Sequence, residues 1–468
     1  MGRRSFIKGV LAAGTISVIT PPALFAADAS ASRSPGGKVN LACIGIGNRG
    51  ADVVKALHAT GLANVVALCD TDMGAPHTQP VLKLFPNVPR FQDFRKLFDK
   101  MGKDIEAVSI ATPDFSHFPI TMHAISLRKH VYVEKPMAHS FKQIELLMAA
   151  EKKYQVACQM GNQGHSEANY FQFKAWTEAG IIKNVTKITA FMNNPRRWHG
   201  MKVAGYLPEQ PIPKTLDWDC WLATALDHKY NKGYIQGDWR SWFDFGDGAL
   251  GDWGAHIFDT AHEFLDLGLP VEVDAKLEGH SPYIFPQATT LAFKFPARGA
   301  MPPVELTWYD GTDNLPPLPD NMGASVVDTD IPPPSKGAAV PDNKKRPPGK
   351  VIYGEGLTFK GGSHASTLKI IPEEKAKEME AKLPKVPRSS SNHFANFLKA
   401  AKGDEKTHSN FAVAGPLCQA MAIGIIAQRV NAKLEFDRTT KRITNHQVAN
   451  ELLNGVPPRP DWEQYYKV

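Results

Sequence analysis

Cysteine is scarce in this chain and falls into no pattern. Cys43, Cys69, Cys158, Cys220 and Cys418 are the five cysteines in 468 residues, odd in number and without C-x-x-C spacing, which argues against a disulfide framework and against a zinc site. No H-E-x-x-H segment is present either, so no bound metal is expected. The formal charge of +7 is mild for this length. With no Lys/Arg block interleaved with aromatics, nucleic acid is not an expected partner. Beyond the N-terminal segment we find no apolar run approaching the eighteen or so residues that a membrane helix needs, and no internal repeat. What is present is length and an apolar share of 43%, enough to bury a large core divided over two domains.

Residues 39 to 50 read V-N-L-A-C-I-G-I-G-N-R-G, a short apolar run that flows into G-x-G-x-x-G at Gly45, Gly47 and Gly50. Gly45 permits a tight turn out of a strand, Gly47 lets backbone approach a pyrophosphate, and Gly50 lets the next helix pack on the sheet. The pyrophosphate then rests on unpaired N–H groups at the helix N-terminus, beside Asn48 and Arg49. A second apolar run, A-N-V-V-A-L-C-D, ends in Asp70, whose carboxylate can grip a ribose diol. The constellation predicts a dinucleotide site. Asp70 would repel a 2'-phosphate, so NAD is expected over NADP, although Arg49 stands near enough to the turn to reach such a phosphate.

From residue 39 to about 155 strand and helix patterns alternate, which predicts a parallel sheet with helices on both faces. After about residue 180, V-T-K-I-T-A-F-M, V-E-V-D-A-K-L-E, A-T-T-L-A-F-K-F and V-E-L-T-W-Y-D alternate with period two, as half-buried antiparallel strands do. The fold class is therefore α/β: a Rossmann dinucleotide-binding domain at 38–158, then a domain at 159–390 with a large, mostly antiparallel open sheet. Within it, residues 311–350 carry nine prolines and read as a long surface loop. Residues 391–468 return to helix and are expected to pack back between the domains.

The first thirty residues differ in kind. Arg3-Arg4-Ser5-Phe6-Ile7-Lys8 precedes the apolar run G-V-L-A-A-G-T-I-S-V-I-T, and small residues at Ala27-Asp28-Ala29 follow. Residues 1–30 read as a twin-arginine export signal, which places the mature protein in the periplasm or otherwise outside the cytoplasm, with no membrane attachment once the signal is removed. Free nucleotide is scarce there, so the cofactor is expected to travel with the folded chain and be recycled in place.

Two clusters can carry chemistry. Val133-Glu134-Lys135-Pro136 closes a predicted parallel strand at the carboxyl edge, where open α/β sheets bind ligands. A lysine beside a nicotinamide cation can exchange a proton near neutrality, and the Lys-Pro bond can turn the chain sharply as a cis peptide. The second cluster is Gly248-Ala-Leu-Gly-Asp252-Trp-Gly-Ala-His256-Ile-Phe-Asp259. On a helix Asp252 and His256 share a face, so the carboxylate could orient or charge the imidazole, with Asp259 and His262 continuing along it; the plainer reading makes Asp252 an N-cap.

The ordered set G-I-G-N-R-G, A-T-P-D-F-S-H at 111–117, V-E-K-P and G-D-W-G-A-H-I-F-D resembles the glucose-fructose oxidoreductase/inositol dehydrogenase/rhizopine-catabolism (Gfo/Idh/MocA) family over residues 38 to 465. The resemblance implies Lys135, Asp252 and His256 as the catalytic set, with His256 taking the hydroxyl proton while the nicotinamide takes the hydride. It implies that Thr112, Pro113 and His117 line the nicotinamide side, that Glu134 contacts the cofactor ribose, and that the protein self-associates as a dimer or tetramer. G-N-Q-G-H at 161–165 and Trp239-Arg240 are similar to an exported branch in which His165 and Arg240 would face the substrate; the plainer readings are a turn and an interdomain salt bridge. The implied activity is hydride transfer between NAD(P) and a secondary alcohol of a sugar, cyclitol or glycoside. The alternative is an NAD-dependent glycoside hydrolase working by transient C3 oxidation and elimination.

Overall fold

The computed structural model describes residues 37–193, 202–235, 237–322 and 347–467. Residues 1–30, where an export signal is expected, and the middle of the proline-rich loop lie outside the described residues.

Six short strands, β1 (Val39–Ile44), β2 (Ala63–Cys69), β3 (Arg90–Phe91), β4 (Ala107–Ile110), β5 (His130–Val133) and β6 (Cys158–Met160), form a sheet in the order β3-β2-β1-β4-β5-β6. Every pairing is parallel. All six residues of β1 are buried, as expected of a strand covered on both faces by crossover helices. Strand order reverses between β1 and β4, which opens a crevice at the carboxyl ends of these two strands. Local chemistry sets the helices around it. The Phe141–Tyr154 helix starts where the Ser140 hydroxyl accepts the Gln143 N–H at 3.2 Å, and ends at Gln155 in the left-handed region.

The second sheet has nine strands in the order β13-β12-β11-β7-β10-β9-β8-β14-β15. They are β7 (Lys187–Met192), β8 (Glu272–Glu278), β9 (Ala288–Phe295), β10 (Val304–Asp310), β11 (Gly349–Tyr353), β12 (Thr358–Gly361), β13 (Lys369–Ile371), β14 (Leu434–Asp437) and β15 (Arg442–Ile443). The β10–β7 pair is parallel and the other pairs are antiparallel.

Three readings need correction. The loop expected to run to residue 350 gives way at Gly349 to β11, which inserts between β7 and β12 with Lys350 buried. The C-terminal segment is not wholly helical, because β14 extends the sheet beside β8. The Phe411–Val430 helix is apolar over 20 residues, long enough by composition to cross a bilayer, which the search for apolar runs overlooked. Most of it is buried, packed on both the Phe141–Tyr154 helix and the Gly248–Ile257 helix. The His393–Lys402 helix lies against β1 and the first helix, Arg49–Ala59, with Phe394 stacked on Tyr132.

Candidate active site

A cavity of about 810 Å³ opens at the carboxyl edge of the parallel sheet and reaches from Gly45 and Asp70 to Lys135, Asp252 and His256. Its first half is the glycine turn. Gly45 has φ +77°, and a Cβ there would meet the Ala111 carbonyl oxygen at 2.6 Å. A Cβ on Gly50 would sit 2.0 Å from the Gly45 oxygen, so the helix could not pack this close. Asn48 stands at the N-terminus of the Arg49–Ala59 helix without a side-chain cap, a place suited to a pyrophosphate. His77, which the sequence reading missed, packs against Gly47 and lines the same wall.

Asp70 ends β2 with its carboxylate accepting the Ile46 N–H at 3.0 Å and the Asp72 N–H at 3.1 Å. It therefore holds the glycine turn in shape while lining the cavity. Burial pushes its carboxyl group above the usual range, against these two N–H bonds.

Arg49 does not reach toward a 2'-phosphate. Its guanidinium lies 3.1 Å from Glu134 Oε1 at the end of β5. In the strand order β5 stands on the opposite side of β1 from β2 and Asp70, so the arginine is drawn away from the Asp70 carboxylate. Burial raises the Glu134 carboxyl, but Arg49 and then Lys135 pull it below its ordinary value.

The loop at Thr112 and Pro113 lines the cavity. His117 does so with both ring nitrogens engaged, 2.7 Å from the Pro136 carbonyl and 2.8 Å from that of Thr112. It ties the loop to the Lys135-Pro136 peptide, which is cis, instead of offering a nitrogen to the cofactor.

Lys135 Nζ lies 2.5 Å from Asp252 Oδ1 and 2.6 Å from the Asp252 carbonyl. Arg240 Nε approaches the same carboxylate at 3.6 Å, with its guanidinium over the Trp239 ring at 4.0 Å. The Gly248–Ile257 helix begins before Asp252, so this residue is not its cap. Nor does the carboxylate engage His256, although the two are one turn apart: the cations draw it aside. His256 instead stacks on His364 at 3.9 Å, with ring planes 17° apart. Its Nδ1 is buried with no hydrogen-bond partner among the described residues. Burial first, then His364 and Lys135, keep this imidazole well below its ordinary pKa, which favours its neutral form.

His165 does not face the cavity. It is 1% exposed, with Nδ1 at 2.8 Å from Asp259 and Nε2 at 2.5 Å from Glu263. Burial opposes its charge, yet the two carboxylates prevail and raise its pKa to about 9. Asp259 is thereby turned away from the Asp252–His256 face, and His262 is spent on the Gly268 carbonyl at 2.9 Å. Asp114, also missed, lines the cavity beneath Arg240; burial and then Asp247 push its carboxyl up to about 7. Asp114 stood within the A-T-P-D-F-S-H segment that carries the family resemblance but was given no role, and His364 carried no signal in the sequence.

The residues fit NAD: a glycine turn beneath a helix N-terminus with no side-chain cap, a carboxylate at the end of β2, and the His256 imidazole at the far end. Comparison with known proteins agrees. Residues 39–162 match the model described as "Oxidoreductase family, NAD-binding Rossmann fold" (GFO_IDH_MocA), and residues 174–288 match "Oxidoreductase family, C-terminal alpha/beta domain". Inositol 2-dehydrogenase of Salmonella typhimurium is 28% identical over 199 residues, 41% of this chain and 56% of that protein. The chain thus spans a little over half the length of the inositol dehydrogenases it matches. A glycosyl hydrolase family 109 protein of Shewanella is 27% identical over 183 residues, 34% of this chain and 38% of that protein. Among solved structures, the WlbA dehydrogenase of Bordetella pertussis, in complex with NADH and UDP-GlcNAcA, superposes with TM-score 0.56 at 14% identity, covering 86% of this chain and 99% of that one. An NAD-binding protein from Listeria innocua gives 0.54 at 15%, covering 85% and 97%. At such identities the likeness is one of fold.

Proposed function

Because the chain belongs to the Gfo/Idh/MocA oxidoreductase family, we propose that it is an NAD-dependent oxidoreductase acting on a secondary alcohol of a sugar, cyclitol or glycoside. The observation that carries this reading is the meeting of Lys135, Asp252 and the His256 imidazole in the cavity that begins at the glycine turn. NAD, when bound, supplies the hydride acceptor. Gly45, Gly47, Asn48 and Gly50 hold its pyrophosphate and Asp70 its adenosine ribose. His256, in its neutral form, takes the hydroxyl proton. Lys135 donates a hydrogen bond to the same oxygen as charge develops on it, while Asp252 holds the ammonium in place. Arg240 and the indole of Trp239 give the alcohol's remaining hydroxyls a planar donor and an apolar face.

The reading includes export through residues 1–30 with the cofactor already bound, and self-association as a dimer or tetramer. A second reading draws on the similarity to family 109 glycosidases: oxidation at C3 acidifies the C2 proton, the aglycone leaves, water adds, and the ketone is reduced again. Incubating cofactor-loaded protein with a panel of sugars and glycosides in heavy water, followed by mass spectrometry, separates the two. A product two mass units lighter, or a matched oxidised and reduced pair, is the expected result. A cleaved sugar carrying one carbon-bound deuterium would favour the hydrolase, and no change in any substrate would overturn both.

A further inference from the structure

His364 lies far from His256 in sequence, in the β12–β13 hairpin of the second sheet, yet its ring lies flat on the candidate base. The residue is strained. Its φ of +45° lies in the left-handed region that a side chain other than glycine rarely adopts. Several contacts hold it there. Its N–H donates to the His256 carbonyl at 3.0 Å, and its Nδ1 lies 2.8 Å from the Ser363 hydroxyl. Ser366 closes the turn: its N–H donates to the Ser363 carbonyl at 2.9 Å, and its hydroxyl oxygen accepts the Gly362 N–H at 3.0 Å. Trp253 meets the ring edge-on at 5.4 Å. Across the hairpin Gly164 leaves the space that the His364 carbonyl occupies, since a Cβ there would stand 2.9 Å from that oxygen. This many restraints on a strained residue that lines the cavity point to a role beyond turning the chain.

We propose that His364 is a positioning residue for the redox site: its ring fixes the plane of the His256 imidazole and keeps that imidazole in the neutral form that accepts the substrate proton. The inference rests on the oxidoreductase reading for its purpose but not for its test. The charges that bear most on His256 are those of His364, stacked on it, then Lys135 at the end of β5, Arg49 at the start of the first helix and His393 on the His393–Lys402 helix, each a cation or able to become one. Asp252, one turn away on the same helix, is held by Lys135 and Arg240. Among the described residues no carboxylate hydrogen-bonds the His256 ring. Two stacked imidazoles at this distance resist sharing two positive charges, so a proton on one displaces the titration of the other by roughly one to three pH units.

The test is nuclear magnetic resonance of the full chain with 15N-labelled histidine, the His256 signal being identified by its loss in His256→Gln. In the wild-type protein the His256 and His364 signals should titrate as a coupled pair, with His256 still neutral where an ordinary histidine, at about pH 6.5, is half charged. His364→Phe keeps a ring in the stack and removes its charge; His364→Gln removes both. In each variant the His256 midpoint should rise by about one unit or more. Independent single-site curves in the wild type, or a midpoint that stays or falls in the variants, would overturn the proposal. No substrate is used, so a wrong alcohol class leaves this result untouched.

Discussion

Replacing His165 by glutamine separates a substrate contact from a buried ion cluster. The imidazole is buried between Asp259 and Glu263 with a folded pKa of about 9, against roughly 6.5 in the unfolded chain. A group whose folded value is raised adds stability that is fully present below its unfolded pKa and is lost as pH rises through the folded one. The gap of roughly 2.5 units corresponds to about 3 kcal/mol, present at pH 6 and largely gone by about pH 10. The substitution also strands two carboxylates, one of them wholly buried, and breaking a buried pair costs about 3–5 kcal/mol. Urea unfolding of wild type and His165→Gln at both pH values is the assay. The variant should be much less stable at pH 6, and the difference between the two proteins should shrink by about 3 kcal/mol toward pH 10. Its KM for the alcohol found in the sugar panel should stay near wild type. An equal stability difference at both pH values would refute the ion-cluster account, and normal stability with a raised KM would return His165 to the substrate.

Other substitutions probe the cavity. Lys135→Met removes the donor beside the reacting oxygen, so kcat should fall by about 10²–10⁴ while the NADH affinity, read by fluorescence titration, changes little; a parallel loss of both would make the lysine a cofactor ligand. Asp70→Ala removes the acceptor for the Ile46 and Asp72 N–H groups and the charge that opposes a 2'-phosphate. NADH binding should weaken about tenfold, roughly 1.4 kcal/mol, and the NADH-over-NADPH preference should narrow; an unchanged preference would locate discrimination elsewhere. Gly50→Ala puts a methyl group 2.0 Å from the Gly45 carbonyl oxygen, so the turn and helix must separate. NADH affinity should collapse with a stability loss of about 1–3 kcal/mol, whereas wild-type affinity would show that the turn tolerates separation.

Local rules made the parallel sheet legible. G-x-G-x-x-G, the apolar runs of β1 and β2, and Asp70 lie within one strand-helix-strand unit, where spacing along the chain is nearly spacing in space. Strands β7 to β10 were legible for the same reason, since half-buried strands alternate visibly. Strands β11 to β15 were not. They are short segments of two to five residues, such as G-K-V-I-Y and L-E-F-D, and pairing with neighbours already in the sheet makes them strands.

The candidate site divides along the same line. The chain alone placed Lys135 at a strand end and Asp252 and His256 one turn apart on a helix, because each is a statement about a single element. Which groups then pair was decided across elements. Lys135, from the first domain, and Arg240 take the Asp252 carboxylate that helical spacing alone would have offered to His256. Glu134 takes Arg49 away from the Asp70 side of the cavity, and Asp259 and Glu263 hold His165 out of the cavity. A hairpin of the second sheet brings His364 onto His256. A carboxylate is drawn to whichever cation the fold brings within hydrogen-bonding reach, and sequence separation does not encode that distance. The sequence by itself determined the nucleotide turn, the parallel sheet and the residue types available for proton transfer; the tertiary structure alone decided which of them meet and which charge each one carries.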